Sequence, residues 1–198
     1  MTESNHRISE HPIDPLFLNR WAPRAFNGEA MPEEDLLTVL DAAHWAPSAS
    51  NHQPWRFAWF RQGTPLFADA VELLMEGNRV WASRASALVF VVSKKTYINH
   101  EGIATPLATH AFDSGCAWGM AAMQAKMMGY ETHGMGGILK DAIAEYLKLS
   151  DDYSVNMAFA VGKLGPVTAL PEKLQAREVP SNRRALGEVA AEGWIVAD

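Results

Sequence analysis

Between Ala111 and Met128 the chain carries formal charge only at Asp113 and Lys126, while Gly115, Ala117, Gly119, Ala121 and Ala122 keep the segment thin. From Ala108 to Met128 the composition is helical, and Gly129 stands where such a helix would end. A helix that is apolar on nearly every side has to be enclosed over most of its surface. The sequence has 198 residues, enough for little more than one domain, and a domain of that size buries only about 70% of the surface its unfolded chain exposes. Two arrangements satisfy this helix: a central position inside a monomer, or a second copy of the chain that completes the enclosure. The second is the expectation here.

Other elements can be placed around it. Asp14 before Pro15 has the chemistry of an N-cap and first helical turn, starting a short helix that runs to about Asn19. Pro32 and the acidic Glu33, Glu34 and Asp35 open another, with an apolar stripe through Leu36, Leu37, Val39, Leu40 and Ala43, ending near Pro47. Thr64-Pro65 caps a third, with Leu66, Phe67, Ala70, Val71 and Leu74 at helical spacing and a stop at Gly77. Trp55 to Phe60 is short and aromatic, as a strand would be. Ala87 to Val92 reads as a strand buried on both faces, and Asn156 to Val161 and Tyr130 to His133 are further strand candidates. Strands separated by helices indicate an α/β or α+β domain. Met1 to Ile13 reads as a loose arm.

Seventeen Lys and Arg against 23 Asp and Glu leave a net charge of −6, so no broad basic face is available for nucleic acid or an anionic membrane. The most apolar stretch, Gly102 to Lys126, is interrupted by Pro106, His110 and Asp113 and is too weakly hydrophobic to span a bilayer. No apolar leader is present among the first residues, which include Glu3, Glu10, Pro12 and Pro15. One cysteine, Cys116, excludes a disulfide framework and a thiolate metal cage, and fits a reducing, cytoplasmic setting. It reads as a buried structural thiol rather than a nucleophile. The seven histidines never fall at i, i+4 on one predicted helix, so no metal site is expected. Phosphate-loop, zinc-protease and hydrolase-elbow motifs are absent. Gly134-Met135-Gly136-Gly137 lacks the spacing of a dinucleotide fingerprint. It is either a turn or a place where backbone closely approaches something flat.

Arg20-Trp21-Ala22-Pro23-Arg24-Ala25-Phe26 sets two guanidinium groups four residues apart on an acidic chain. They are two solvated arginines or a local site for phosphate or carboxylate. Ala46-Pro47-Ser48-Ala49-Ser50-Asn51-His52-Gln53-Pro54-Trp55-Arg56-Phe57 then follows, small hydroxyl and amide groups leading into the aromatic strand. Further on come Gly77-Asn78-Arg79-Val80-Trp81, Asp113-Ser114-Gly115, Gly129-Tyr130, Gly134 to Gly137, and Asn182-Arg183-Arg184-Ala185-Leu186. This order of segments, from Arg20 to about Trp194, resembles the FMN-dependent nitroreductase family.

The resemblance implies a three-layer α+β fold, with a central, mostly antiparallel sheet flanked by helices, in an obligate homodimer. It implies a single FMN-binding domain over residues 14–198 behind a flexible arm at 1–13. Arg20 and Arg24, with Trp21 and Ala22 between them, would meet the phosphate, ribityl and pyrimidine side of FMN, and Arg183 or its neighbour Arg184 would close on the phosphate, Arg183 being preferred. Asn78 would bond the pyrimidine edge, and Gly136 and Gly137 would bring backbone toward flavin N5 and O4. Pro47, Ser48, Ser50 and Asn51 would reach the flavin from the partner subunit. NADH or NADPH would pass hydride to N5, and a nitroaromatic, quinone or similar acceptor would take it in a ping-pong cycle. The flavin carries the chemistry, so no catalytic side chain is implied, and Arg24 would tune the flavin. Oxygen-using relatives, flavin-fragmenting or dehalogenating, and a non-catalytic flavin-binding protein are the alternatives.

Two departures stand out. Ala22 occupies a position where relatives commonly have Ser, which removes a hydroxyl contact worth about 1 kcal/mol. The stretch from Lys94 to His110, with Tyr97, Ile98, His100 and Thr109, is short for a substrate lid and shows no recognisable substrate pattern.

Overall fold

The computed structural model describes residues 1–193; residues 194–198, including Trp194 where the resemblance ends, lie outside the described residues. The first 13 residues, expected as a loose arm, carry regular structure. Strands β1 (Thr2–Ser4) and β2 (Arg7–Ser9) pair antiparallel. Asn5 and His6 both have positive φ, at 54° and 59°, as a two-residue hairpin turn that follows the strand twist requires. The hairpin docks on α1 (Pro15–Asn19), with Ser4 Oγ donating to Asn19 Oδ1 at 2.6 Å. Helix α1 starts as the sequence indicates: Asp14 accepts the Leu16 N–H at 2.8 Å.

Helix α2 (Glu33–His44) is followed by strand β3 (Trp55–Arg61) and helix α3 (Pro65–Glu72), whose first turn is capped by Thr64. Gly77 does not end α3, contrary to expectation. The chain leaves the helix at Leu73, and residues 73–75 run beside 137–139: Leu139 N donates to Leu73 O at 2.9 Å and Met75 N to Gly137 O at 3.0 Å. The Arg79 guanidinium caps the break, bonding the carbonyls of Glu72 and Leu74 at 2.6 Å each. Gly77 then lies in the first turn of a separate helix, α4 (Glu76–Ala82). Long-range backbone pairing has overridden a locally continuous helical pattern.

Strand β4 (Ala87–Lys94) precedes a small hairpin of β5 (Thr96–Ile98) and β6 (Ala104–Pro106) in the segment read as a short lid. Helix α5 (His110–Met127) is the thin apolar segment, closed by Gly129 at φ +80°, the left-handed position that glycine favours. Strand β7 (Glu131–Met135), helix α6 (Lys140–Tyr146), strand β8 (Tyr153–Gly162) and helix α7 (Glu172–Gln175) complete the chain order. Four strands form the central sheet in the order β3-β4-β8-β7, and every neighbouring pair is antiparallel.

Strand β4 shows why there are three layers. Leu88, Phe90 and Val92 face a core shared with α3, α4 and α6, while Ala87, Val89 and Val91 face a second core shared with α2 and α5. Side chains alternate across a strand, so a continuously apolar run has to be covered on both sides. Helix α5 covers the sheet with Ala117, Ala121 and Ala125, all fully buried and spaced four apart on one face. Its other face is uncovered within one chain: Phe112 is 80% and Met127 63% exposed.

Candidate active site

Edge strand β7 organises the site. The loop carrying Arg20, Trp21, Ala22 and Arg24 crosses near its start: His133 Nδ1 donates to Pro23 O at 3.0 Å, and Asn27 N donates to Lys163 O at 3.0 Å just after β8. Glu131, at the first position of β7, is buried and ion-paired with Lys126, but its Oε2 has no hydrogen-bond partner. Burial pushes its pKa up, and Lys126 and Arg20 oppose that shift. The Arg20 pKa is lowered by burial and then by Arg183, with Glu131 acting in the opposite sense. Arg20, Arg183 and Glu131 therefore share one electrostatic neighbourhood, and the loop carrying Arg183 and Arg184 reaches the same end of the sheet as the first arginine pair.

Arg24 is held by a residue with no obvious sequence signal. Glu178, buried after α7, accepts the backbone N–H groups of Arg24 and Ala25 through Oε1 at 2.6 and 2.7 Å, while its Oε2 lies 3.8 Å from Arg24 Nη1. This ties the C-terminal segment to the arginine loop. His133, the middle residue of β7, packs on Trp81 at 4.6 Å between ring centroids. Burial and the positive charge of Arg24 lower its pKa to about 4, and hydrogen bonds to the carbonyls of Pro23 and Ala22 only partly oppose this. The ring is neutral near pH 7, with its proton on Nδ1 facing Pro23 O.

Beyond the far end of β7, Asn78 and the glycines come together. Asn78 Nδ2 donates to Gly137 O at 2.9 Å. A Cβ on Gly137 would lie 2.7 Å from that nitrogen, whereas a Cβ on Gly136 would meet nothing within 4 Å. A side chain at 137 would therefore have to displace the Asn78 amide, whereas Gly136 faces open space. The break between α3 and α4 sets this geometry, because it places the start of α4 on the Gly137 carbonyl.

The segment Pro47, Ser48, Ser50 and Asn51 lies elsewhere. It precedes β3, on the sheet edge opposite β7, and is tied to the start of α5 by the Ala49 N–H, which donates to the buried Asp113 carboxylate at 3.2 Å. Ser48 Oγ accepts the Gln53 N–H at 3.0 Å. Ser50, Asn51 and Gln53 all have φ near +50°, strain of the kind that tends to mark functional loops. Lys126 and Glu131 sit at the other end of α5. At 1.5 Å per residue the path from Asp113 to Lys126 is roughly 20 Å, so one chain does not bring this segment to the arginines.

Cys116 is half-buried rather than enclosed. It lines a groove of about 860 Å³ on the uncovered side of α5, together with Leu16, Phe17, Arg20, Met120 and Met123. Of the residues around β7, Glu131, His133 and Glu178 could not be singled out from the sequence. Each gains its role from burial beside an arginine, and burial of an isolated polar residue leaves no local pattern. No helix among the described residues is long and apolar enough to cross a membrane.

The three layers, the antiparallel sheet and the arginine-to-glycine line along its edge strand define an α+β fold of the nitroreductase type. The nitroreductase family model matches residues 18–80. A crystallised oxidoreductase containing FMN is 56% identical over 98% of both chains, with a TM-score of 0.96. A nitroreductase family protein from Clostridium difficile 630 shares the fold at a TM-score of 0.67, with 19% identity over 91% of this chain and 97% of that one. A protein of Streptococcus pyogenes serotype M6, provisionally named an NAD(P)H nitroreductase, is 34% identical over 74 residues, which is 37% of this chain and 36% of that protein. The matched stretch thus spans about a third of that curated relative's length. The chain belongs to the nitroreductase family.

Proposed function

We propose that this protein is an NAD(P)H-dependent FMN oxidoreductase. The observation that carries the reading is the order of groups along β7. Cations collect at Glu131, and open backbone with an amide follows at Gly136, Gly137 and Asn78. At about 3.3 Å per residue the path from Glu131 to Gly136 is roughly 17 Å, comparable to an extended flavin mononucleotide. Guanidinium groups suit a phosphate dianion, and the open face at Gly136 suits a planar ring. The 56% identity to an FMN-containing oxidoreductase supports the same cofactor.

Bound FMN would supply the redox chemistry, taking hydride from NADH or NADPH and delivering it to a nitroaromatic, quinone or similar acceptor in a ping-pong cycle. The protein's part is to bind and orient. Arg20 and Arg183 anchor the phosphate, and Glu178 fixes the backbone from which Arg24 reaches the flavin. Positive charge from Arg24 near the pyrimidine edge favours negative charge on that ring. Neutral His133, packed on Trp81, adds no competing charge beside Arg24. Trp21 and Ala22 shape the loop beside Arg20, and Arg184 stands next to the phosphate anchor.

The active form in this reading is a homodimer. Phe112, Met120 and Met127 leave α5 with an uncovered apolar face, and large exposed apolar patches mark association sites. Antiparallel pairing of two α5 helices would carry Pro47, Ser48, Ser50 and Asn51 of one copy to the arginine end of the other, completing two flavin sites. A single FMN-binding domain over residues 14–198, working in the cytoplasm where NAD(P)H is supplied, belongs to the same reading.

The test is the anaerobic visible spectrum of FMN-reconstituted protein before and after adding NADH or NADPH. Bleaching of a protein-bound flavin band is expected. A band that persists with both donors would indicate a flavin-binding protein without this reductase activity, and absence of bound flavin would overturn the assignment.

A further inference from the structure

The hairpin ahead of α1 brings a third cation, and a buried one, to the arginine end of β7. Arg7 is 7% exposed, and its Nη1 donates to the carbonyls of Leu18 at 3.0 Å and Arg20 at 2.9 Å. These are carbonyls at the C-terminal end of α1, where a cation is electrostatically favoured. That role uses one nitrogen of five-donor chemistry. Nε is buried without a hydrogen-bond partner, although buried donors are satisfied in the great majority of cases.

We propose that Arg7 is a binding residue for the phosphate monoester of the cofactor: it holds Arg20 by its backbone carbonyl and adds its own charge to the site formed by Arg20 and Arg183. This rests on the proposed seat of the FMN phosphate at that end of β7. Like charges oppose one another in the protein alone, since Arg183 and Arg20 both act to lower the Arg7 pKa, after burial as the main cause. The carboxylate that acts on Arg20 from β7, Glu131, is engaged with Lys126. An arriving dianion would relieve that repulsion. The hairpin, which precedes the segments carrying the family resemblance, then becomes a wall of the cofactor site.

The test compares FMN with riboflavin, which lacks only the phosphate, by quenching of flavin fluorescence on titration into apo-protein. Wild type should prefer FMN strongly. Arg7→Met should lose roughly tenfold to a hundredfold of that preference, the range for one charge-assisted bond, with riboflavin affinity unchanged. Arg7→Lys, which keeps the charge and loses the fork, should retain more of the preference. Equal weakening of both ligands would show a purely structural role and overturn the proposal, as would an unchanged preference in Arg7→Met. If Arg7→Met does not fold, Arg7→Gln, which also removes the charge but keeps a donor, decides on the same terms. A wild type that binds FMN no better than riboflavin would instead remove the phosphate assignment itself, so the two failures are distinguishable.

Discussion

The two ends of α5 are chemically unlike. At its C-terminal end Lys126 and Glu131 meet Arg20, with Arg183 in the same field. At its N-terminal end the buried Asp113 carboxylate holds a strained loop of Ser50 and Asn51 and accepts the Thr109 hydroxyl at 2.9 Å. The first end gathers cations around one carboxylate, and the second is a polar loop. In the proposed dimer each would form half of a site, with the apolar helix face between them covered by the second copy. In that reading the thin apolar helix and the divided site have one explanation.

The largest effect should come from separating the copies. A charge placed on the uncovered face by Met120→Asp would be buried without a partner in the dimer, at a cost of about 3 kcal/mol or more, roughly a hundredfold in dissociation constant. Sedimentation should show monomers, and flavin should be lost with them. A stable dimer in Met120→Asp would break the link between the two ends.

Acid should act on the cationic end. The folded pKa of His133, about 4, lies below the ordinary value near 6.5. The unfolded chain then binds more protons between these values, so stability is full above about pH 6.5 and is lost as the pH falls toward 4. The loss should approach about 3 kcal/mol in urea unfolding compared at pH 7 and pH 4. His133→Gln should show a shallower decline, and an identical one would place the acid sensitivity elsewhere.

Arg20→Ala should weaken FMN by about 1.5–3 kcal/mol, the value of a hydrogen bond to a charged group, and should affect riboflavin far less. Unchanged FMN affinity would move the phosphate away from this end of β7.

The smallest pair of effects separates chain packing from cofactor packing. Gly137→Ala should displace Asn78 and lower thermal stability by about 1 kcal/mol, the value of one hydrogen bond. Gly136→Ala, which meets no protein atom, should leave the apo-protein's melting temperature unchanged and weaken FMN. Unaltered FMN binding in Gly136→Ala would show that the open face at 136 is not where the ring lies.

Local chemistry in the sequence settled much of the framework. Asp14 and Thr64 announce their caps, Gly129 ends α5, and the unbroken apolar run of β4 requires a layer on each side, because each of these depends on neighbours within a few residues. The order of motifs also singled out the arginine pair, Asn78 and the glycines, whose flavin-binding roles belong to the proposed function. What the tertiary structure decided was everything that depends on distant backbone. Residues 73–75 leave their helix because 137–139 offers hydrogen bonds, and the sequence around Gly77 contains no trace of that partner. Glu131, His133, Glu178 and Arg7 acquire their roles from burial beside one another's charges, across sequence separations that no local pattern records. The near absence of charge on α5 was visible at once, but only the folded chain shows which face the sheet covers and which it leaves exposed.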